Sequence, residues 1–243
     1  MDRRDFLKTM LGTPLFAPLI LHSPCPANDE LFLISDNPQA HLLSILKHMG
    51  SWYTAGRGKY TILDGHPRKN ALSDVLEASR WTQASSLQSA GLIVSFRPLR
   101  HPAPPSFALV RKGRILDIRK KELYSLWMEM NGKNPTSSCM TIASLQVRQP
   151  SHVPGTFVRV FQDGHVVGTF SVKKRRIKTF ETEGGKVTIK IEQGTASILS
   201  SSCRNKICCS ALPVSSPGER IVCAPNHFLL EMGGPGSIDT IIG

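Results

Sequence analysis

The chain has 243 residues, a formal net charge of +12 and a composition that is 40% hydrophobic and 20% charged. This length is enough for one large domain or two small ones. A membrane helix needs about 20 unbroken apolar residues, and Pro14 and Pro18 interrupt the N-terminal apolar stretch before it reaches that length. The positive charge suits anionic lipid headgroups or an acidic partner, and equally a soluble protein with a basic surface.

Residues 1–27 have the pattern of an export signal. Arg3 and Arg4 are followed by Phe6, Leu7 and a modest apolar stretch. This resembles the twin-arginine (Tat) signal, although Asp2 stands where that signal has a hydroxyl residue. The resemblance implies that the Tat export machinery moves the folded protein to the periplasm or the cell exterior. The protein stays membrane-attached where the signal is retained.

The segment Val147–Pro154, which carries two prolines, divides the remaining chain. We therefore predict a two-domain α+β chain, with an α/β domain over residues 28–150, a β domain over residues 155–233 and a flexible tail over residues 234–243.

The first half alternates strand and helix signals, which predicts an α/β or α+β sandwich. Its predicted elements are the strand Leu31–Ile34, a helix from Pro38 to Gly50, the strand Lys59–Leu63, the helix Ala71–Trp81, the strand Gly91–Phe96, the hairpin Ser106–Ile118, the helix Lys120–Met130 and the strand Met140–Val147.

The first half lacks the sequence motifs of the common enzyme classes. It contains no Cys-x-x-Cys, no phosphate-binding loop, no Gly-x-Ser-x-Gly and no His-Glu-x-x-His. Its one cysteine, Cys139, is interpreted as a packed or capped residue rather than a nucleophile. The histidines are dispersed along the sequence and predict no metal site. These observations favour a non-enzymatic function, and this half resembles no family that we identify.

From Thr156 onward, short apolar runs alternate with turn dipeptides, which predicts a small all-β barrel or sandwich. The predicted strands are Phe157–Phe161, Val166–Val172, Val187–Ile191 and Thr195–Leu199. A run of four cations interrupts this pattern: Lys173, Lys174, Arg175 and Arg176. Such a run can bind phosphate groups, and it is also typical of a solvated loop.

Four of the six cysteines lie close together in sequence, within Ser201–Glu231. Their spacing is Cys203-x4-Cys208, an adjacent Cys209, and then Cys223 followed by Ala-Pro-Asn. With the Asp163-Gly164 turn and the strand Val187–Ile191, this pattern resembles the NusG domain II-like family over about Thr156–Met232. The extra Cys209, together with differences at residues 204–205 and 212–213, departs from the family pattern.

The resemblance implies a fold similar to the domain inserted in some NusG transcription factors, in an exported or membrane-anchored bacterial module. It implies no established catalytic activity. Through the proteins that accompany such modules, it suggests an envelope protein partner in electron transfer or flavin chemistry.

The sulfur atoms allow several interpretations. In an oxidising compartment, a disulfide from Cys203, Cys208 or Cys209 to Cys223 is the first, and a Cys203–Cys208 bond is the second. A zinc or iron–sulfur site that uses all four cysteines is the alternative. It is disfavoured because adjacent cysteines seldom point at one metal. We therefore predict no cofactor.

Three functions follow from these observations. The first is an exported, non-enzymatic binding or accessory module, in an envelope electron-transfer system, with a structural cysteine cluster. The second is a thiol-dependent oxidoreductase that uses the Cys203–Cys209 loop and Cys223. The third is binding of nucleic acid or another polyanion through a basic surface. Nucleic acid is a less natural partner outside the cytoplasm.

Overall fold

The computed structural model describes residues 29–48, 58–111, 113–116, 123–133, 136–144 and 153–234. The predicted export signal, with Arg3, Arg4, Phe6 and Leu7, lies outside these residues. So do most of Val147–Pro154 and all but the first residue of the predicted tail. Within the described residues, no helix has both the length and the apolar character to span a membrane.

The N-terminal half forms a mixed seven-stranded sheet in the order β3-β2-β4-β7-β1-β5-β6. The strands are β1 (Glu30–Ile34), β2 (Lys59–Ile62), β3 (Thr82–Gln83), β4 (Leu92–Ala103), β5 (Ser106–Arg111), β6 (Arg114–Leu116) and β7 (Ser137–Ser144). Strand β2 runs parallel to β3 and β4, and the other pairs are antiparallel. The helices are α1 (Pro38–His48), α2 (Lys69–Ala78) and α3 (Tyr124–Lys133).

Strand β1 shows how the two faces of this sheet are used. Successive side chains of a strand point to opposite faces. Leu31 and Leu33 pack in one core with residues of α1, α2 and α3. Phe32 and Ile34 face the other way and pack against residues of the C-terminal half. All five residues of β1 are therefore buried, which is typical of a strand covered on both faces.

The C-terminal half contains two open sheets that share one core. One has the order β13-β14-β8-β9 and the other β10-β11-β12. The strands are β8 (Phe157–Gln162), β9 (His165–Ser171), β10 (Arg176–Thr182), β11 (Gly185–Glu192), β12 (Thr195–Ser201), β13 (Arg220–Cys223) and β14 (Phe228–Gly233). The barrel alternative of the prediction is wrong, because the consecutive strands β9 and β10 lie in different sheets and leave the sheet edges unjoined.

Strand β14 joins the two halves of the molecule. Phe228, Leu230 and Met232 point into the C-terminal core. Leu229 points the opposite way and packs with Phe32 and other residues of the seven-stranded sheet. The four-stranded sheet therefore covers the sheet face that the helices leave open.

A buried network of charges also crosses this interface. Arg220 donates to Glu231 at 2.6 Å and to Glu30 of β1 at 2.8 Å. Arg159 donates to the second oxygen of Glu231 at 2.7 Å. The network holds two positive and two negative side chains, so its formal charges balance. Balanced, hydrogen-bonded pairs are the form in which charges are tolerated in a protein interior.

The predicted elements of the first half are confirmed within the described residues, and several of their ends are shifted. The predicted ends at Gly50, Ile118, Lys120 and Val147 lie outside the described residues. Strand β4 is longer than predicted and continues through the proline-rich segment to Ala103. Its pairing with β7 is irregular between Pro98 and Ala103, which is where a strand tolerates proline. The sequence does not predict β10, because Phe180 is its only buried residue and alternation is therefore weak. The short helix α4 (Ile207–Ser210) is also not predicted.

Candidate functional site

Three cysteines from different elements meet inside the C-terminal core. Cys203 follows β12, Cys208 lies in α4 and Cys223 ends β13. The sulfur atoms of Cys203 and Cys208 are 3.9 Å apart. All three sulfur atoms lie within 4.8 Å of one another, and each side chain is buried. We call these three residues the cysteine cluster.

A tight turn brings Cys203 and Cys208 together. Lys206 adopts a left-handed conformation with φ 46°, and α4 begins directly after it. The backbone N–H of Cys209 donates to the Lys206 carbonyl at 2.9 Å, which closes the turn. The five residues from Cys203 to Ile207 thereby fold back, so that Cys208 faces Cys203.

Asn226 and Ser201 hold the third cysteine. Asn226 is 2% exposed, and its amide nitrogen donates to the Cys223 sulfur at 3.2 Å and to Ser201 Oγ at 2.9 Å. Ser201 Oγ also accepts the N–H of Cys203 at 3.3 Å and lies 3.4 Å from the Cys223 sulfur. Since the Ser201 oxygen already accepts two hydrogens, its own hydrogen is available to that sulfur.

Contacts among the three sulfur atoms shift the pKa values of the cluster in opposite directions. Hydrogen bonds with the thiols of Cys208 and Cys223 lower the pKa of Cys203. The same contacts with Cys203 raise the pKa of Cys208 and that of Cys223. The three thiols therefore titrate as one unit, in which a first negative charge is favoured and a second is strongly opposed.

The predicted disulfide is not confirmed. A disulfide bond is about 2.05 Å long, whereas Cys203 and Cys208 keep their sulfur atoms 3.9 Å apart. All five cysteines among the described residues are free. The predicted four-cysteine set also divides, because the half-buried Cys209 lies outside the group of three converging sulfur atoms.

The cysteine cluster lies at the wall of an apolar cavity of about 360 Å³. The cavity occupies the interface between the seven-stranded sheet and the cysteine loop. Its N-terminal wall includes Phe32, Ile34, Ala108, Tyr124, Trp127 and Met140. Its C-terminal wall includes Cys203, Ile207, Cys208, Ala211, Val222 and Cys223.

Two arginines add positive charge to this apolar cavity. Arg220 belongs to the buried network and is held by Glu30 and Glu231. Arg204 is exposed in the cysteine loop, and it has no ion-pair partner among the described residues. Arg204 is therefore the side chain that can neutralise an acidic group at the cavity.

The predicted cation run lies elsewhere, at the turn between β9 and β10. Lys173, Lys174, Arg175 and Arg176 are all exposed. Arg175 lies 3.7 Å from Glu192, and the Arg176 guanidinium lies 5.3 Å from the centre of the Phe170 ring. The structure does not bring these side chains to the cavity.

Cys139 also lies outside the cluster. It is half-buried in β7, and its backbone N–H donates to Ser137 Oγ at 3.1 Å. Burial raises the pKa of its thiol. This position agrees with a packed residue and offers no second sulfur.

No sequence motif predicts Asn226, Ser201 or the aromatic side chains of α3 as parts of the site. The Cys-x-Pro-Asn segment offers one usable signal, because it places a small amide close to Cys223. Trp127 carries no comparable signal, since its helical spacing is equally typical of a core residue.

Comparison with known proteins gives a family match for the region that holds these residues. A profile of the NusG domain II family matches residues 137–235, a range that begins in β7 and includes the whole cysteine cluster. No curated protein matches the chain.

Solved structures provide three similar proteins. A DUF1312 family protein from Ruminococcus gnavus is 31% identical, and the match covers 32% of this chain and 97% of that one, with a TM-score of 0.29. A DUF1312 family protein from Enterococcus faecalis is 18% identical over 32% and 97%, with a TM-score of 0.31. The Lin0431 protein from Listeria innocua is 17% identical over 32% and 95%, with a TM-score of 0.31.

Proposed function

This chain belongs to the NusG domain II family through residues 137–235, and we propose that it is a non-enzymatic binding module. Its ligand is a small, largely apolar molecule held in the interface cavity. One observation carries the proposal: the N-terminal half and the cysteine loop together line an apolar space of about 360 Å³.

The size and lining of the cavity fit this function. Small-molecule sites typically measure about 300–1,000 Å³ and are lined by apolar and aromatic side chains with a few polar groups. Phe32, Trp127 and Met140 supply the apolar surface, and Arg204 supplies a positive group. A ligand with an apolar or aromatic body and one acidic group matches this lining.

The proposal includes the division of the chain into two domains near Val147–Pro154. Each half has a core of its own, and a third cluster of buried residues joins the two. The ligand cavity is then an interface between domains, which is a common location for binding sites.

The proposal also places the protein outside the cytoplasm, as an accessory module of an envelope electron-transfer system. The twin-arginine pattern of Arg3 and Arg4 and the family resemblance support this location. Export as a folded protein suits a cavity that exists only when both halves are packed together.

Binding of the apolar fluorescent anion anilinonaphthalene sulfonate tests the proposal. The reduced full chain should bind one equivalent with saturation. Ala108→Phe fills the cavity from β5 and should abolish this binding. Ala71→Phe, on the half-buried side of α2 and outside the cavity lining, is the matched control and should bind normally. Equal binding by both variants, each shown to be folded by circular dichroism, would contradict the proposal.

The second candidate is a thiol-dependent oxidoreductase, because the cysteine cluster lines the same cavity as the proposed ligand. A ligand in that space would contact sulfur directly. Reaction of the native protein with a small disulfide reagent tests it. Rapid formation of a mixed disulfide at one cluster cysteine would support the candidate, and uniformly slow reaction would exclude it.

A further inference from the structure

We propose that Cys203, Cys208 and Cys223 form a three-thiolate site for a soft divalent metal, zinc in the first place, with a fourth position that opens toward the cavity. Binding of the metal displaces the thiol protons, which pass to solvent. Three thiolates and one dication leave a net charge of −1 at the site.

The spacing of the sulfur atoms fits this coordination. Tetrahedral zinc binds thiolate at about 2.3 Å, which separates neighbouring sulfur atoms by about 3.8 Å. Cys203 and Cys208 already have a separation of 3.9 Å, and the third sulfur lies within 4.8 Å of both. Small rotations of the side chains complete the triangle.

The groups around the cluster act as hydrogen-bond donors to sulfur. Asn226 donates its amide N–H to the Cys223 sulfur at 3.2 Å. Ser201 has a hydrogen left for the same Cys223 sulfur, because its oxygen already accepts two others. Donors that converge on sulfur stabilise metal-bound thiolate, and such outer contacts orient the ligands of metal sites.

The orientation of Asn226 is itself supported. Its carbonyl oxygen lies 2.8 Å from Thr182 Oγ1 and 3.3 Å from Ser202 Oγ, which leaves its nitrogen to face Cys223 and Ser201. A fully buried side chain fixed in this way serves the sulfur atoms rather than the surface.

The position of the cluster determines the kind of site. All three cysteines line the cavity, so a metal there has protein ligands on one side and the cavity on the other. Three protein ligands with an open fourth position distinguish a ligand-binding metal site from a closed structural one. Cys209, which lies outside the converging group, is not a ligand.

Titration of the reduced full chain with Co²⁺ tests this proposal. One equivalent should produce thiolate-to-cobalt charge-transfer absorption and the visible bands of tetrahedral cobalt, and Zn²⁺ should displace it. Cys208→Ser should abolish the absorption, whereas the matched control Cys139→Ser should leave it unchanged. Absence of these bands in the fully reduced wild-type protein would overturn the proposal, as would a native disulfide between two cluster cysteines.

A second measurement on the wild-type chain remains decisive where a cysteine variant fails to fold. Zn²⁺ should protect Cys203, Cys208 and Cys223 from alkylation, as located by mass spectrometry, while Cys139 and Cys209 react as before. Equal alkylation of all five with and without Zn²⁺ counts against the site. In addition, Asn226→Ala should weaken cobalt binding roughly 10–100-fold. The metal titration requires no cavity ligand, so its failure and that of the proposed function are separable.

Discussion

The interface between the two halves has two contrasting regions. Around Glu30, Arg159, Arg220 and Glu231, charges are buried, balanced and joined at 2.6 to 2.8 Å. Beside the cysteine cluster, the same interface leaves a cavity of about 360 Å³. The first region closes the two halves on each other, and the second keeps space between them.

Arg220 belongs to both regions. It is 3% exposed, holds Glu30 and Glu231, and also lines the cavity. Its charge is already neutralised, so it supports the cavity wall without being available to a ligand. A binding function is therefore best sought among groups without an ion-pair partner in the described part of the chain, such as Arg204.

Breaking the buried network should give the largest effect. Arg220→Met leaves Glu30 buried without its cation, and removal of one member of a buried charge pair costs about 3–5 kcal/mol. Urea unfolding of the full chain measures the change. The surface pair of Glu181 and Lys186, 2.9 Å apart, is the control, and its loss should cost about 0–1 kcal/mol. Similar losses at both places would show that the network does not hold the halves together.

Truncating apolar side chains should cost more unfolding free energy in the filled region of the interface than beside the cavity. Leu229→Ala removes a fully buried side chain packed between the sheets and should cost about 2–5 kcal/mol. Met140→Ala, at the cavity wall, should cost less, because part of its surroundings is already empty. Unfolding free energies of the two variants provide the measurement. A larger loss at Met140 would show that the cavity region is as tightly packed as the rest.

Acid should weaken the N-terminal half through His66. The ring accepts the Arg68 N–H at 3.1 Å and lies 3.1 Å from Thr141 Oγ1, and burial lowers its pKa. The histidine of the unfolded chain therefore binds a proton near pH 6.5, whereas that of the folded chain stays neutral. Stability is unaffected above that pH and falls below it. Each pH unit between the two pKa values is worth about 1.4 kcal/mol.

Unfolding midpoints at about pH 7.5 and pH 5 should accordingly differ more in the wild-type protein than in His66→Gln. The same pH dependence in both proteins would assign the acid sensitivity to other groups.

Substitutions in the cation run should have the smallest effect on folding. Lys173→Gln with Lys174→Gln changes exposed side chains outside the cavity lining, and surface changes of this kind stay within about 0.5 kcal/mol. Thermal melting measures this. The same variant tests polyanion binding, since salt-sensitive retention on a heparin column should fall if the run binds phosphate-like groups. Unchanged retention would assign any such binding to the remaining basic surface.

The sequence was informative where a signal is local. The apolar run in β1 and the alternation in β11 predict strands directly, and the cysteine spacing predicts the family. The network of Glu30 and Arg220 gives no such signal, because its partners are 190 residues apart in sequence.

The cavity also gives no local sequence signal, because helix α3 and the cysteine loop come together around it only after the two halves pack. Adjacent Cys208 and Cys209 have the same local sequence context, yet only Cys208 joins the cluster. The orientation of the short helix α4 decides between them, and no sequence pattern predicts that helix.

The connection between Glu30 and Arg220 has a further consequence for the order of folding. Strand β1 is the first strand of the described chain, but its Glu30 carboxylate pairs with Arg220 in β13. Contacts between such distant segments slow folding, because a long loop must close before they contribute. The interface therefore cannot be completed during synthesis before Arg220 of β13 has emerged.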